Sequence, residues 1–352
     1  AEPTDATICT GGTADLSVSA SAGVGGLTYQ WEFSTDGGTN WSSVPTGGTA
    51  ANYTTEILTA TTLYRVRINA PGNGCTEAIS RETTITVVDD PTIDAEPTDA
   101  TICSGGTADL RVSARAGVGG LTYQWEFSTD GGTNWSSVPN GGTAANYTTV
   151  ALTATTLYRV RINAPGNGCT EAISRETTVD VLSDPAIIIA QPIDTSICAG
   201  GVANLSVSAS GGVGGLTYQW QFSTDGGTNW ANVPNGGTAA NYTTIALNTT
   251  TLYRVLVNAP GNGCSEAVSV EMTVDVQSDL TITSEPTDAS ICEGGTADLS
   301  VSASGGVGGL TYQWEFSTDG GTNWSNVPSG GTATTYTTEV LSATTLYRVR
   351  ID

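Results

Sequence analysis

The 352-residue chain contains no histidine, and its 11 basic residues are all arginine, so lysine is missing too. Without histidine there is no Ser-His-Asp or Cys-His nucleophile pair and no His-ligated metal. Without lysine there is no Schiff base, no P-loop and no Lys–Asn isopeptide crosslink. Positive charge is scarce against 34 acidic residues, and the formal charge is −23. Such a chain lacks the basic footprint that nucleic acid requires. Its self-repelling charge favours solubility without naming a ligand. Long apolar runs are absent as well, so no segment approaches the roughly 18 residues of a membrane span. No cationic and apolar leader opens the sequence, and Ala1 reads as a processed or truncated start.

What the chain has is repetition. The motif TDATICTGGTADLSVSA, beginning at Thr4, recurs from Thr98, Asp194 and Thr287 with few changes. Its cysteines, Cys9, Cys103, Cys198 and Cys292, mark a period of about 94 residues. The expected domains are residues 1–90, 91–185 and 186–280, followed by a partial fourth at 281–352. The fourth ends at Asp352, which corresponds to Asn69 of the first. A domain without its last strand has an open sheet edge. The chain is expected to be a window on a longer array, the alternative being a strand donated by a partner.

Each repeat alternates with period two. Leu16 and Val18 share one face; so do Tyr29, Trp31 and Phe33, and again Tyr64, Val66 and Ile68. Period-two runs bounded by Gly, Pro, Asn and Asp are half-buried strands. Some seven short strands per repeat predict an all-β fold of sandwiches.

The order ICxGG, YQW, LYRV, NGC resembles that of immunoglobulin-like domains, and more narrowly the bacterial Ig-like repeats of large secreted surface adhesins of the Bacteroidota type. The resemblance implies tandem immunoglobulin-like β-sandwiches arranged as a rod, the last incomplete. It places Trp31, Trp125, Trp220 and Trp314 at the core tryptophan, and Tyr64, Tyr158, Tyr253 and Tyr347 at the tyrosine corner. Val18 and Val66 stand where such domains carry their inter-sheet disulfide.

The cysteines of this chain lie elsewhere. Cys9 and Cys75, Cys103 and Cys169, Cys198 and Cys264 are each separated by about 66 positions, an even pattern that reads as disulfides in an oxidising compartment. Pairing within each repeat is the first expectation. The alternative is that repeats meet end to end, with Cys9 bonded to Cys169 and Cys103 to Cys264.

Every repeat also carries S-T-D-G-G-T-N-W, with Asp36, Asp130, Asp225 and Asp319 at its turn. The motif matches the Asp-box of sialidases and of many unrelated β proteins. The structural reading is preferred: the aspartate caps a tight hairpin, Gly37 and Gly38 take positive φ, and Trp41 packs beneath. Differences among repeats suggest charge pairs. Glu32, Glu126 and Glu315 occur with Arg67, Arg161 and Arg350, whereas the third repeat has Gln221 with Leu256. An exposed cross-strand pair is expected in each of the other repeats, with Arg81 nearby in the first. Asp90, Asp184 and Asp279 recur at the joints. They are weak candidates for Ca²⁺ and better ones for turn capping; no other cofactor is expected.

These features predict a non-enzymatic, extracellular chain: a structural and adhesive stalk segment of a secreted surface protein. Its expected partners are an unidentified surface ligand or neighbouring copies of itself. Two alternatives are a subunit of an extracellular filament and a carbohydrate-binding accessory array, the latter suggested by the Asp-boxes and the eight tryptophans.

Overall fold

A computed structural model describes every residue except 22–24 and 73, with residues 186–189 described by their backbone alone. The described residues form strands, turns and bends, with no helix. Contacts divide the chain into two units, Ala1–Ser183 with Gly261–Cys264, and Asp184–Pro260 with Ser265–Asp352. The first holds two repeats and a short loop from the third; the second holds the rest of the third and the fourth.

The first repeat shows the plan. Its strands are β1 (Ala6–Cys9), β2 (Asp15–Ser17), β3 (Thr28–Ser34), β4 (Ser42–Ser43), β5 (Asn52–Thr54), β6 (Thr62–Asn69), β7 (Ala78–Ile79) and β8 (Thr83–Val88). One sheet has the order β1-β8-β6-β3-β4, with β7 also paired to β6; β2 and β5 pair in the facing sheet. β1 runs parallel to β8, and the other pairs are antiparallel. This five-strand order facing a two-stranded sheet, built from short alternating strands, is an immunoglobulin-like sandwich. The second and third repeats reproduce both sheets.

The cause is alternation. Along β6, Thr62, Tyr64, Val66 and Ile68 are buried, while Leu63, Arg65 and Arg67 are only partly so. Trp31 on β3 lies opposite Val66 and is fully buried. Its ring stacks on Tyr53 at 6.0 Å, and Tyr53 meets Tyr64 at 6.0 Å. Its indole N–H donates to the Ala50 carbonyl at 2.9 Å, so the buried ring leaves no orphan donor. Val18 and Val66 belong to the same cluster. Trp125 with Tyr158 and Trp220 with Tyr253 occupy the equivalent places. Each repeat has its own core cluster.

The fourth repeat departs from the plan. Trp314 is fully buried, but Tyr347, expected in the core, is only partly buried. In the other repeats the β8-type strand pairs with the β6-type strand. The fourth repeat has no such pair among the described residues. The groove left open is lined by Ile291, Leu299, Leu341 and Tyr347.

The cysteine pairing also departs from the first expectation. The disulfides are Cys9–Cys169 and Cys103–Cys264, while Cys75, Cys198 and Cys292 are free thiols. The reason is position: Cys9 ends an edge strand where it meets the loop after the β6-type strand of the next repeat. Cys75 occupies the corresponding loop of the first repeat and is exposed.

Candidate functional site at the repeat junction

The junction is built from two short motifs. The first is the turn after β1, Cys9-Thr10-Gly11-Gly12, closed by the Gly12 N–H donating to the Cys9 carbonyl at 3.0 Å. Gly11, third in the turn, has φ +87°, the conformation that a type II turn reserves for glycine. Gly12 is needed for a different reason. A Cβ placed there would lie 2.5 Å from the Asn167 carbonyl oxygen of the second repeat. The second motif, Asn167-Gly168-Cys169, closes the approach from the other side: a Cβ on Gly168 would meet Gly12 Cα at 2.3 Å.

With both side chains absent, the backbones touch. The Cys9 N–H donates to the Asn167 carbonyl at 2.9 Å, and the Asn167 amide donates to Thr13 Oγ1 at 3.4 Å. The Cα atoms of Cys9 and Cys169 are 4.8 Å apart, within disulfide range. The same pattern surrounds Cys103. Its N–H donates to the Asn262 carbonyl at 2.9 Å, and a Cβ on Gly106 would lie 2.5 Å from that oxygen. The Thr107 N–H donates to Asn262 Oδ1 at 3.2 Å. Cys9 and Cys103 are fully buried, whereas Cys198 is partly exposed. Near Gly201, the closest atoms to an added Cβ belong to Cys198 and Ile197 of its own repeat.

The loops are held from the joint as well. Asp90 accepts from the Thr170 N–H at 3.2 Å and from the Thr170 hydroxyl at 2.5 Å, immediately beyond Cys169. In the second unit, Asp184 accepts from the Ser265 N–H at 3.2 Å. Asp279 lies at the third joint, where its carbonyl is 2.2 Å from the Cβ position of Gly305. No three His, Cys, Asp or Glu side chains converge as metal ligands among the described residues.

The Asp-Gly-Gly hairpins are closed by their own side chains. Asp36 accepts from the Asn40 N–H at 2.9 Å, the Asn40 amide at 2.7 Å and the Ser34 hydroxyl at 2.8 Å. These bonds hold its carboxyl at a pKa of about 2, led by the Asn40 backbone N–H. Asp130, Asp225 and Asp319 have the same donors and likewise sit at about 2. Gly37 and Gly38 have φ +75° and +86°. The Trp41 indole N–H donates to the Gly38 carbonyl at 3.0 Å.

The charge pairs differ from expectation in partner and in burial. The register puts Arg65 directly opposite Glu32 and leaves Arg67 on the diagonal. Arg65 Nε bonds Glu32 at 2.8 Å, while Arg67 reaches it at 3.4 Å. The same preference holds for Glu126, at 2.7 Å from Arg159 and 3.6 Å from Arg161. It holds again for Glu315, at 2.6 Å from Arg348 and 3.8 Å from Arg350. The pair is not solvent-exposed: Glu32 is 7% exposed, and the Arg65 guanidinium lies 4.2 Å from the Trp41 ring centroid. Arg67 bonds chiefly to Glu77, which raises the Arg67 pKa and lowers that of Glu77. Arg81 lies apart from this group, donating to the Pro3 carbonyl at 2.9 Å and facing Asp5 at 3.6 Å.

Separate cores, a recurring sandwich and a glycine-lined junction define a tandem immunoglobulin-like repeat protein. Residues 2–89, 94–183, 189–278 and 281–352 match the family described as Domain of unknown function (DUF8696), and the chain belongs to that family. No curated protein matches it. Among solved structures it is similar to the three N-terminal domains of the bacteriophage RB49 Highly Immunogenic Outer Capsid protein (Hoc). That match has 13% identity and a TM-score of 0.49, covering 77% of this chain and 96% of that one. Sidekick-1 immunoglobulin domains 1–5 are similar at 15% identity and a TM-score of 0.35, covering 88% and 67%. The N-terminal four Ig domains of Dscam1 isoform 7.44 are similar at 15% identity and a TM-score of 0.32, covering 97% and 90%. The strand order within each repeat, rather than these likenesses, defines the fold.

Proposed function

We propose that this chain is a stalk segment of a secreted cell-surface protein, with a structural and adhesive role. The observation that carries the reading is the covalent seating of one repeat's loop on the preceding repeat. Structural disulfides persist in oxidising, extracytoplasmic settings. A stalk needs its modules fixed to one another more than it needs a reactive centre, and this junction does that with two glycines, one backbone hydrogen bond and one disulfide. Near-identical copies also let weak contacts add through effective concentration.

The carbohydrate reading is weaker on the same geometry. Trp31 is buried, and the Trp41 ring is half-buried, faced by Arg65 and tied by its N–H to the Gly38 carbonyl, so both are engaged in the sandwich itself. The reading is tested on the native protein in its own cells. Protease shaving of intact cells should release it, and electron microscopy of the purified protein should show single elongated particles. A cytoplasmic, fully reduced pool refutes the reading, and regular fibres of constant diameter favour a filament subunit instead.

A further inference from the structure

The two disulfides overlap along the chain. Cys9–Cys169 spans a sequence separation of 160 and Cys103–Cys264 one of 161. The segment from Cys103 to Cys169 lies inside both, so every peptide bond between Cys9 and Cys264 is bridged by at least one disulfide. Bridging within each repeat would leave the stretches from Cys75 to Cys103 and from Cys169 to Cys198 with the backbone alone. Those stretches contain the joints, and exposed irregular segments of that kind are where proteases nick a folded chain.

We propose that the crossed disulfides make the first unit cut-tolerant, so that a backbone nick at a joint or in a loop does not sever it. The inference deepens the stalk reading, since a stalk exposed to proteases fails at its first complete cut. Sites for a test are already present. Arg81 lies between β7 and β8 and is about half exposed; Arg175 occupies the same place in the second repeat. With no lysine in the chain, trypsin can cut only after arginine. A cut after Arg81 is bridged by Cys9–Cys169, and a cut after Arg175 by Cys103–Cys264.

The experiment uses the full chain with its free thiols alkylated. Limited trypsin digestion is followed by denaturing electrophoresis with and without reductant, and the new termini are identified by mass. Chains cut after Arg81 or Arg175 should migrate as one species without reductant and separate into two fragments with it. If the folded chain resists cleavage there, the thiol-blocked protein is unfolded in urea and digested fully. The peptide 1–65 should then be linked to 162–175, and 82–111 to 255–348. A Cys9→Ser/Cys169→Ser variant should release the fragment 1–81 without reductant. Release of that fragment from the unsubstituted protein, or linkage of 1–65 to 68–81, overturns the proposal. Linkage of 1–65 to 68–81 would also remove the inter-repeat bond from the support of the stalk reading, but the reading itself stands or falls separately, by where the native protein is found.

Discussion

Gly12→Ala isolates the junction from the sandwich that carries it. The added methyl would sit 2.5 Å from the Asn167 oxygen, about 0.9 Å inside ordinary contact. Both neighbours are backbone, so the strain is relieved only by drawing the loop away. That movement breaks the 2.9 Å bond from the Cys9 N–H, a loss of about 1 kcal/mol. Residual strain on the loop adds about 1 kcal/mol. A total of about 2 kcal/mol lowers the equilibrium constant for the Cys9–Cys169 bond about 30-fold. The assay equilibrates the protein in glutathione buffers, traps free thiols and measures the alkylated fraction of Cys169 by mass spectrometry. Gly201→Ala is the control. Its Cβ meets only atoms of its own repeat, the nearest being the Cys198 carbonyl at 2.9 Å, so it should leave Cys9–Cys169 unchanged. A Gly12→Ala constant within threefold of the unsubstituted value would refute the reasoning.

Other expectations follow from the same geometry. The hairpin carboxyls, held at a pKa of about 2, lie below the roughly 3.9 of an unfolded aspartate. Their contribution is complete above about pH 4 and is lost as pH falls towards 2. Replacing all four by Asn should make the fall in melting temperature across that window shallower, leaving the part that comes from ion-paired carboxyls such as Glu77 and Glu171. Glu32→Gln should cost under about 1 kcal/mol, because Gln221 of the third repeat already bonds Arg254 at 2.9 Å. Glu32→Ala removes the acceptor from a part-buried guanidinium and should cost about 1–3 kcal/mol by denaturant titration. Trp31→Ala should cost about 3–5 kcal/mol by the same assay, against about 1 kcal/mol for Trp41→Ala, which loses a cation–π contact. Thr83→Met should stabilise by about 1 kcal/mol. The Thr83 hydroxyl is buried without a partner, and Met272 fills the same place in the third repeat at 2% exposure.

The sandwich was legible because its information is local. Alternation fixed the buried face of β6, and the fixed order of Trp and Tyr landmarks located the core. The hairpin was legible for a similar reason, since Asp36 finds its donors within four residues. The cysteine pairing was not legible. A repeat that contributes one cysteine to each of two positions gives the same spacing whether it pairs with itself or with its neighbour. The second glycine of Cys-x-Gly-Gly was the available signal. One positive φ suffices for the turn, so Gly12 points to a close approach by something outside it. Arg65 was missed for the opposite reason. Differences between repeats reveal a partner only where it is lost, and Arg254 persists in the third repeat while Gln221 and Leu256 change.

Core and junction therefore separate energetically. Each sandwich buries its own Trp, Tyr and Val without drawing on a neighbour's cluster. The junction adds only backbone contact, the hydrogen bonds of Asn167 with Cys9 and Thr13 and of Asp90 with Thr170, and a covalent bond closing a loop of 160 residues, which removes about 5 kcal/mol of unfolded-chain entropy in the loop-closure account. A substitution at Gly12 should then shift thiol linkage while Trp31 stays buried, and a substitution at Trp31 should melt the first sandwich while Cys103–Cys264 remains closed. Because the junction asks so little of either sandwich, the same motif can recur at each repeat despite changes such as Gln221 and Leu256 on the outer sheet face.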